Sequence, residues 1–244
     1  MEWHPDLELQ VAVAKVSKYA VRESGDTVEL IERPHGGLSI VLVDGQRSGK
    51  SAKAISNIVA RKALSLLADG VRDGAAARAA HDYLRTLRGA QVSATLSIVS
   101  VDLVTRTVVI SRNSHCPVLI LDGRHGKIRV LDERSRAIGI HARTRPVITE
   151  LPIVPDLHII AFTDGLLLAG ERHGTRPDVS ALVREHLGRE RSELCARFLA
   201  DALLSRAVEL DSGRPSDDIS VVVCSLVGRQ QPDAVRRLSV RFPI

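Results

Sequence analysis

Between residues 94 and 163 the chain carries short apolar or alternating runs at 94–101, 107–112, 118–121, 128–131, 145–151 and 157–163, most of them separated by only a few residues. A parallel crossover needs a dozen or more residues, usually a helix, whereas antiparallel neighbours need only a tight turn. Antiparallel pairing must therefore dominate. The first part of the chain agrees. Residues 7–18 alternate as a half-buried strand does, and runs at 27–33 and 38–44 flank a Pro34-His35-Gly36-Gly37 turn signal. Residues 51–69 then place Ala52, Ile55, Val59, Ala63, Leu66 and Leu67 at helical spacing before Gly70. Further helices are predicted at 75–87, 178–187 and 192–209, with a last strand at 219–226. Helices must cover the outer faces of two sheets packed face to face, an α+β sandwich. Residues 1–227 are read as one domain, and 228–244, with Gln230, Gln231 and Pro232, as a loosely attached extension.

Composition excludes several classes. Cys116, Cys195 and Cys224 are too scattered for a disulfide framework or a CxxC metal site. A net charge of +5, dispersed and mostly from arginine, with 2% aromatics, gives little material for stacking bases, so no nucleic-acid partner is expected. No basic stretch followed by an apolar run opens the sequence, and no window approaches the roughly 18 apolar residues that span a bilayer. A cytoplasmic location without membrane contact is expected; oligomeric state is not readable.

The acidic residues at strand ends carry the chemistry: Asp26 in SGD, Asp44 in VLVDG, Asp164 in FTDG, and Asp217 with Asp218 in PSDDIS. Each alone reads equally as turn or cap chemistry. Together they read differently. If the hairpin turns at 34–37 with Arg33 opposite Leu38, Asp44 faces Thr27 and Asp26 faces Gly45, so two carboxylates lie side by side at its open end. Like charges that close are destabilising unless a cation sits between them. Antiparallel pairing of the strand that ends at Asp164 with the one that begins at Asp217 brings the others near. Such a cluster suits hard, oxygen-seeking cations, magnesium or manganese. Two of them can share a water and activate it for in-line attack on phosphorus. Gly45 lets the backbone bend toward the metal, making its carbonyl a ligand candidate.

The stretch GQRSGKS at 45–51 imitates a phosphate-binding loop, but only Gln46, Arg47 and Ser48 separate Gly45 from Gly49-Lys50-Ser51, where that loop needs four residues. A nucleotide hydrolase is therefore the weaker reading.

The segments SGD (24–26), LSIVLVDG…SGKSA (38–52), ATLSIVSVD (94–102), NSHCPVLIL (113–121), IIAFTDGLL (159–167) and DDISVVVCSL (217–226) resemble, in order, those of protein phosphatase 2C-type (PPM) enzymes. They are most similar to the bacterial SpoIIE-like branch. The resemblance implies a four-layer αββα sandwich of two mainly antiparallel sheets flanked by helices. It also implies metal-dependent hydrolysis of phosphoserine or phosphothreonine on a phosphorylated regulatory protein, with two Mn2+ or Mg2+ ions. Carried over, Asp44 resembles the aspartate bridging both metals and Gly45 the carbonyl ligand. Asp164 and Asp217 resemble the remaining ligands of the first metal, so Asp44, Asp164 and Asp217 are the catalytic candidates. Asp26 resembles the acidic residue near the second metal, and Asp218 a loop organiser. Arg22, four residues before Asp26, has the spacing of the family's phosphate-binding arginine; the alternative is an exposed strand-end arginine. His115, in the segment resembling NAGHPP, is a proton-transfer or hydrogen-bonded structural candidate. Gln46 replaces the histidine of eukaryotic members, and Arg47 and Ser48 stand where SpoIIE-like members usually have glycine and often histidine. Those departures keep open a non-catalytic phosphoprotein-binding module with the same fold.

Overall fold

The computed structural model describes residues 7–186, 195–229 and 235–241; parts of the expected N-terminal segment, of the helices near 187 and 192–194, and of the tail lie outside the described residues. In chain order the strands are β1 Leu7–Val16, β2 Asp26–Glu32, β3 Gly37–Gly45, β4 Ala94–Asp102, β5 Thr107–Asn113, β6 Val118–Asp122, β7 Lys127–Leu131, β8 Val147–Pro152, β9 Leu157–Phe162 and β10 Ile219–Gly228. The helices are α1 Gly49–Ala68, α2 Asp73–Leu87, α3 Asp164–Leu168, α4 Val179–His186 and α5 Ala196–Leu210.

Two five-stranded sheets form, in the orders β1-β10-β9-β6-β7 and β2-β3-β4-β5-β8, and every strand pair is antiparallel. The absence of a parallel pair among the described strands removes the sheet that a phosphate-binding loop would need.

Three apolar layers separate the four structural ones. Ile40, Leu42, Val99, Ile159, Val222 and Cys224 fill the gap between the sheets. Val41, Val43 and Ile98 pack beneath α1 and α2 through Val59, Ala63 and Leu84. Ile160, Phe162, Val221 and Val223 pack beneath α5 through Leu199 and Leu203. Alternate residues of one strand thus enter different layers, because successive strand side chains point to opposite faces. Strands buried on both faces read as near-continuous apolar runs, as β3, β9 and β10 do.

The hairpin register differs from the sequence expectation by one residue. Asp26 lies opposite Asp44, and Glu32 opposite Leu38. Gly37, read as part of the turn, is the first strand residue: Arg33 N–H donates to the Gly37 carbonyl at 3.1 Å, leaving Pro34, His35 and Gly36 as the loop. His35 and Gly36 take left-handed backbone (φ 63 and 97), which shortens the connection. The sequence also gave no sign of α3, a single turn that starts at Asp164 itself. Residues 235–241 have no regular structure and are exposed, with Arg236 paired to Glu32. Among the described residues no helix is long and apolar enough to cross a membrane.

Candidate functional site

At one end of the inter-sheet gap the apolar columns turn polar. On β3, Ile40 and Leu42 are followed on the same face by Asp44, and on β2 the Leu30 and Val28 column ends at Asp26. In the other sheet the Val222 column of β10 continues to Ser220 and Asp218, and the Ala161 column of β9 to Thr163. The corrected register therefore sharpens the juxtaposition: Asp26 and Asp44 are directly paired on one face, and the other sheet supplies the groups that meet them.

Asp26 is 1% exposed, and its Oδ2 accepts hydrogen bonds from Thr163 Oγ1 (2.9 Å) and Ser220 Oγ (2.7 Å), both across the gap. Its backbone carbonyl accepts from Lys15 Nζ (2.6 Å) and Lys53 Nζ (2.7 Å). Burial pushes the Asp26 carboxyl up to about 7, against the two hydroxyl donors. Burial and the crowding of Lys53 bring the Lys15 ammonium down to about 8. These four helpers, Lys15, Lys53, Thr163 and Ser220, were not singled out from the sequence. Thr163 and Ser220 leave one faint sign there, a hydroxyl residue on an inward position of an otherwise apolar strand.

Asp44 is pushed up to about 8, first by burial and then by the charges of Asp26, Asp164, Asp217 and Asp218. Burial also raises the Asp217 carboxyl, whose Oδ1 accepts from the Asp218 N–H at 2.9 Å. Asp218 accepts from Lys18 N–H (2.9 Å) and Gly25 N–H (2.8 Å), tying the loop between β1 and β2 to the start of β10. His115 Nε2 lies 3.4 Å from Asp164 Oδ2, and that contact raises the imidazole. Asp26, Asp44, Gly45, His115, Asp164, Asp217 and Asp218 line one open cavity of about 400 Å³, together with Lys18 and Arg47. Arg22 is exposed and is not among its lining residues.

Two glycines permit this convergence by close approach. A β-carbon on Gly45 would stand 2.1 Å from the Ala52 carbonyl oxygen of α1, and one on Gly165 would stand 2.1 Å from the Asp218 carbonyl oxygen. A side chain at Gly45 would push the Asp44 strand end away from α1, and one at Gly165 would push the Asp164 and Asp218 segments apart. Gln46 is held by Ser93: its N–H donates to the Ser93 carbonyl (3.1 Å) and its Oε1 accepts from the Ser93 N–H (3.0 Å). It is an anchor for its loop, with no acidic proton to give.

The loop that carries His115 rests on Arg112, which is 1% exposed. Its guanidinium donates to the carbonyls of Cys116 (2.9 Å) and Glu133 (2.8 Å). Ser135 Oγ accepts from the Ser114 N–H and donates to the Arg112 carbonyl.

The donor set fits hard divalent cations. The candidate donors are carboxylate and carbonyl oxygens, and their crowding together with burial pushes the Asp44 carboxyl up, a repulsion that a bound divalent cation would relieve. Among the described residues no group of three or more His, Cys, Asp or Glu side chains stands close enough together, as placed, to hold a metal ion. An open cavity with few protein ligands is the arrangement expected for ions that keep several waters.

A sequence profile described as Stage II sporulation protein E matches residues 34–227. No curated protein sequence matches the chain. Solved structures do. The PP2C phosphatase domain with a fragment of the regulatory domain of SpoIIE from Bacillus subtilis superposes with a TM-score of 0.76 at 20% identity, over 89% of this chain and 63% of that one. RsbX in complex with magnesium gives 0.67 at 16% identity, over 89% and 95%. The catalytic domain of the serine/threonine phosphatase PstP, in complex with two manganese ions, gives 0.64 at 16% identity, over 91% and 99%. At these identities the likenesses establish the fold, an α+β sandwich of PP2C type.

Proposed function

The chain belongs to the SpoIIE-like branch of the PP2C-type (PPM) phosphatase family, and from that membership we propose that it hydrolyses phosphoserine or phosphothreonine on a phosphorylated regulatory protein. The observation that carries this reading is the convergence of Asp26 and Asp44, from one sheet, with Asp164 at the start of α3 and Asp217 and Asp218 in the loop before β10, in one cavity. In this reading Asp44, Asp164 and Asp217, with the Gly45 carbonyl, would hold one divalent cation, and Asp44 and Asp26 would serve a second. Two such ions, manganese or magnesium, supply an activated water and neutralise charge on the phosphoryl oxygens when bound. The protein's own part is to keep the carboxylates together against their repulsion, through the lysines on the Asp26 carbonyl and the hydroxyls on its side chain. In this reading His115, exposed on the rim and 3.4 Å from Asp164 through its Nε2, hands a proton to the departing alkoxide.

Hydrolysis of p-nitrophenyl phosphate and of a phosphoserine protein, with and without manganese, tests the proposal. Activity should require the metal and fall on the order of 100-fold or more in Asp44→Asn and Asp164→Asn, the scale expected on removing charge stabilisation from a transition state. Manganese-dependent turnover that survives both substitutions would refute it. The replacement at Gln46 favours a second reading, a phosphoprotein-binding module without turnover. Metal binding and phosphoprotein binding with no hydrolysis in the parent protein would select that one.

A further inference from the structure

Strand β2 ends one sheet and β1 ends the other. Edge strands present unpaired backbone groups, which proteins ordinarily cover or blunt. On β2 the open groups can be assigned. Arg33 N–H donates to the Gly37 carbonyl, and hydrogen-bonded pairs alternate along an antiparallel ladder, so Ile31, Glu29 and Thr27 turn their N–H and C=O toward β3. Val28, Leu30 and Glu32 turn theirs outward. The Asp26 carbonyl follows the same alternation, since Lys15 and Lys53 take it from the outer side. Among the described residues no strand or loop supplies a backbone partner to Val28, Leu30 or Glu32 on that side. The side chains of Val28 and Leu30, like Leu9 and Val11 of β1, are only partly buried against the core between the sheets, so an apolar seam follows this edge of the sandwich.

The C-terminal segment matches that seam. Its sequence, Leu238-Ser239-Val240-Arg241-Phe242-Pro243-Ile244, puts an apolar residue at every second position, the period of a strand with one apolar face. Leu238 and Val240 are 82% and 79% exposed, more than any other large apolar side chain among the described residues. The segment is already moored beside β2, through the ion pair of Arg236 with Glu32. From that pair an antiparallel register places Leu238 opposite Leu30 and Val240 opposite Val28, so both apolar side chains fall on the face that looks into the seam. The same register brings the backbone of residues 236, 238 and 240 to the outward groups of Glu32, Leu30 and Val28. Charges agree on the opposite face, where exposed Glu29 would lie diagonally between Arg237 and Arg241, within reach of long side chains. A slip of one residue would turn Leu238 and Val240 away from the seam.

We propose that the free edge of β2 is the docking surface for the chain's own C-terminal segment, with residues 236–241 closing on it as one more strand of that sheet. Three features select this occupant: the mooring ion pair within the same chain, the match of apolar period to the seam, and the arginines that meet Glu29 and Glu32. Main-chain hydrogen bonds to an exposed sheet edge give such a strand its affinity, and the alternate side chains give it its register. The strand braced in this way is the one that begins at Asp26, so the strap stiffens one wall of the carboxylate cavity without placing a tail residue in it.

Amide hydrogen exchange, read residue by residue by NMR, tests the strap by comparing the full chain with one that ends at Arg229. The Val28 and Leu30 amides should exchange about tenfold more slowly in the full chain, the protection that a new edge pairing confers. Glu29 and Ile31, already bonded to β3, should change little. Leu238→Asp combined with Val240→Asp in the full chain should lose the same protection, and this variant decides the matter should the shortened chain not fold. Arg236→Glu should weaken the protection, and adding Glu32→Arg to it should bring it back. In a Cys195→Ser background, Leu30→Cys with Leu238→Cys should form a disulfide within one chain under mild oxidation, whereas Leu30→Cys with Ser239→Cys should not, because those side chains leave the sheet on opposite faces. Equal exchange at Val28 and Leu30 with and without the tail would overturn the strap, and so would a disulfide that joins two chains instead of closing within one.

Discussion

At Asp44 the proposed function and stability pull apart. Its side chain accepts no hydrogen bond among the described residues, it sits directly opposite Asp26, and its carboxyl is pushed up to about 8. In the absence of a cation, keeping it near four other aspartates costs stability at neutral pH, on the order of 1–3 kcal/mol. Asparagine has nearly the same shape and no charge. Asp44→Asn should therefore raise the melting temperature of the metal-stripped protein by about 5 °C, at the few degrees per kcal/mol typical of this size, while abolishing activity. Melting curves in excess chelator check this; a lower melting temperature would mean that the acidic group is a structural support. Asp26 is the contrast, because Thr163 and Ser220 are built around its Oδ2 and would lose their acceptor if the side chain were removed.

Individual elements are pinned to the site by buried polar contacts, and one of them titrates. His81 on α2 is 2% exposed, and its Nδ1 accepts the Gly139 N–H at 3.0 Å, fastening the segment that bridges β4 through Ile138 and Ala94. A proton on Nδ1 would break that bond, and burial already lowers the imidazole below its ordinary 6.5. The sign follows directly. A lowered folded-state value means stability is full above about pH 6.5 and is lost as pH falls, since the unfolded chain takes the proton first. The melting temperature should fall between pH 7 and pH 5.5, and His81→Gln, which can still accept from Gly139, should flatten that slope. An unchanged slope in the variant would assign the acid sensitivity elsewhere, His158 being the next buried imidazole with a lowered value. Strands and long helices of this kind were legible in the sequence because their alternation and 3.6-residue spacing are strong over many positions. The hairpin register was not, since Gly36 and Gly37 both look like turn and only the backbone shows which one begins β3. Asp44, Asp164 and Asp217 announced themselves by standing where apolar strands stop. Lys15, Lys53 and Arg112 did not, because a long side chain at a strand or helix edge looks the same whether it reaches solvent or a buried carbonyl.

At the scale of the molecule, the site is where the two sheets are joined by polar contacts rather than by apolar packing. Asp26 belongs to one sheet and takes hydrogen bonds from Thr163 and Ser220 of the other, while Asp44 faces Asp164 and Asp217 across the same gap. A divalent ion held there would tie both halves of the sandwich and would bind only when they are together. Anything that binds the folded form alone stabilises it by RT ln(1 + [L]/Kd), about 2.7 kcal/mol at a concentration one hundred times Kd. For a chain of this length that corresponds to a rise of about 5–10 °C in melting temperature. Manganese or magnesium added to chelator-treated protein should produce such a rise, saturating with concentration, whereas sodium at equal ionic strength should not. Asp164→Asn and Asp217→Asn should each blunt the response, because each removes a proposed ligand held just beyond the strands β9 and β10 of the second sheet. A metal-induced rise that stayed the same in both variants would place the ion within one sheet alone, and the sheets would then owe their union at this end to Asp26 and its two hydroxyl partners.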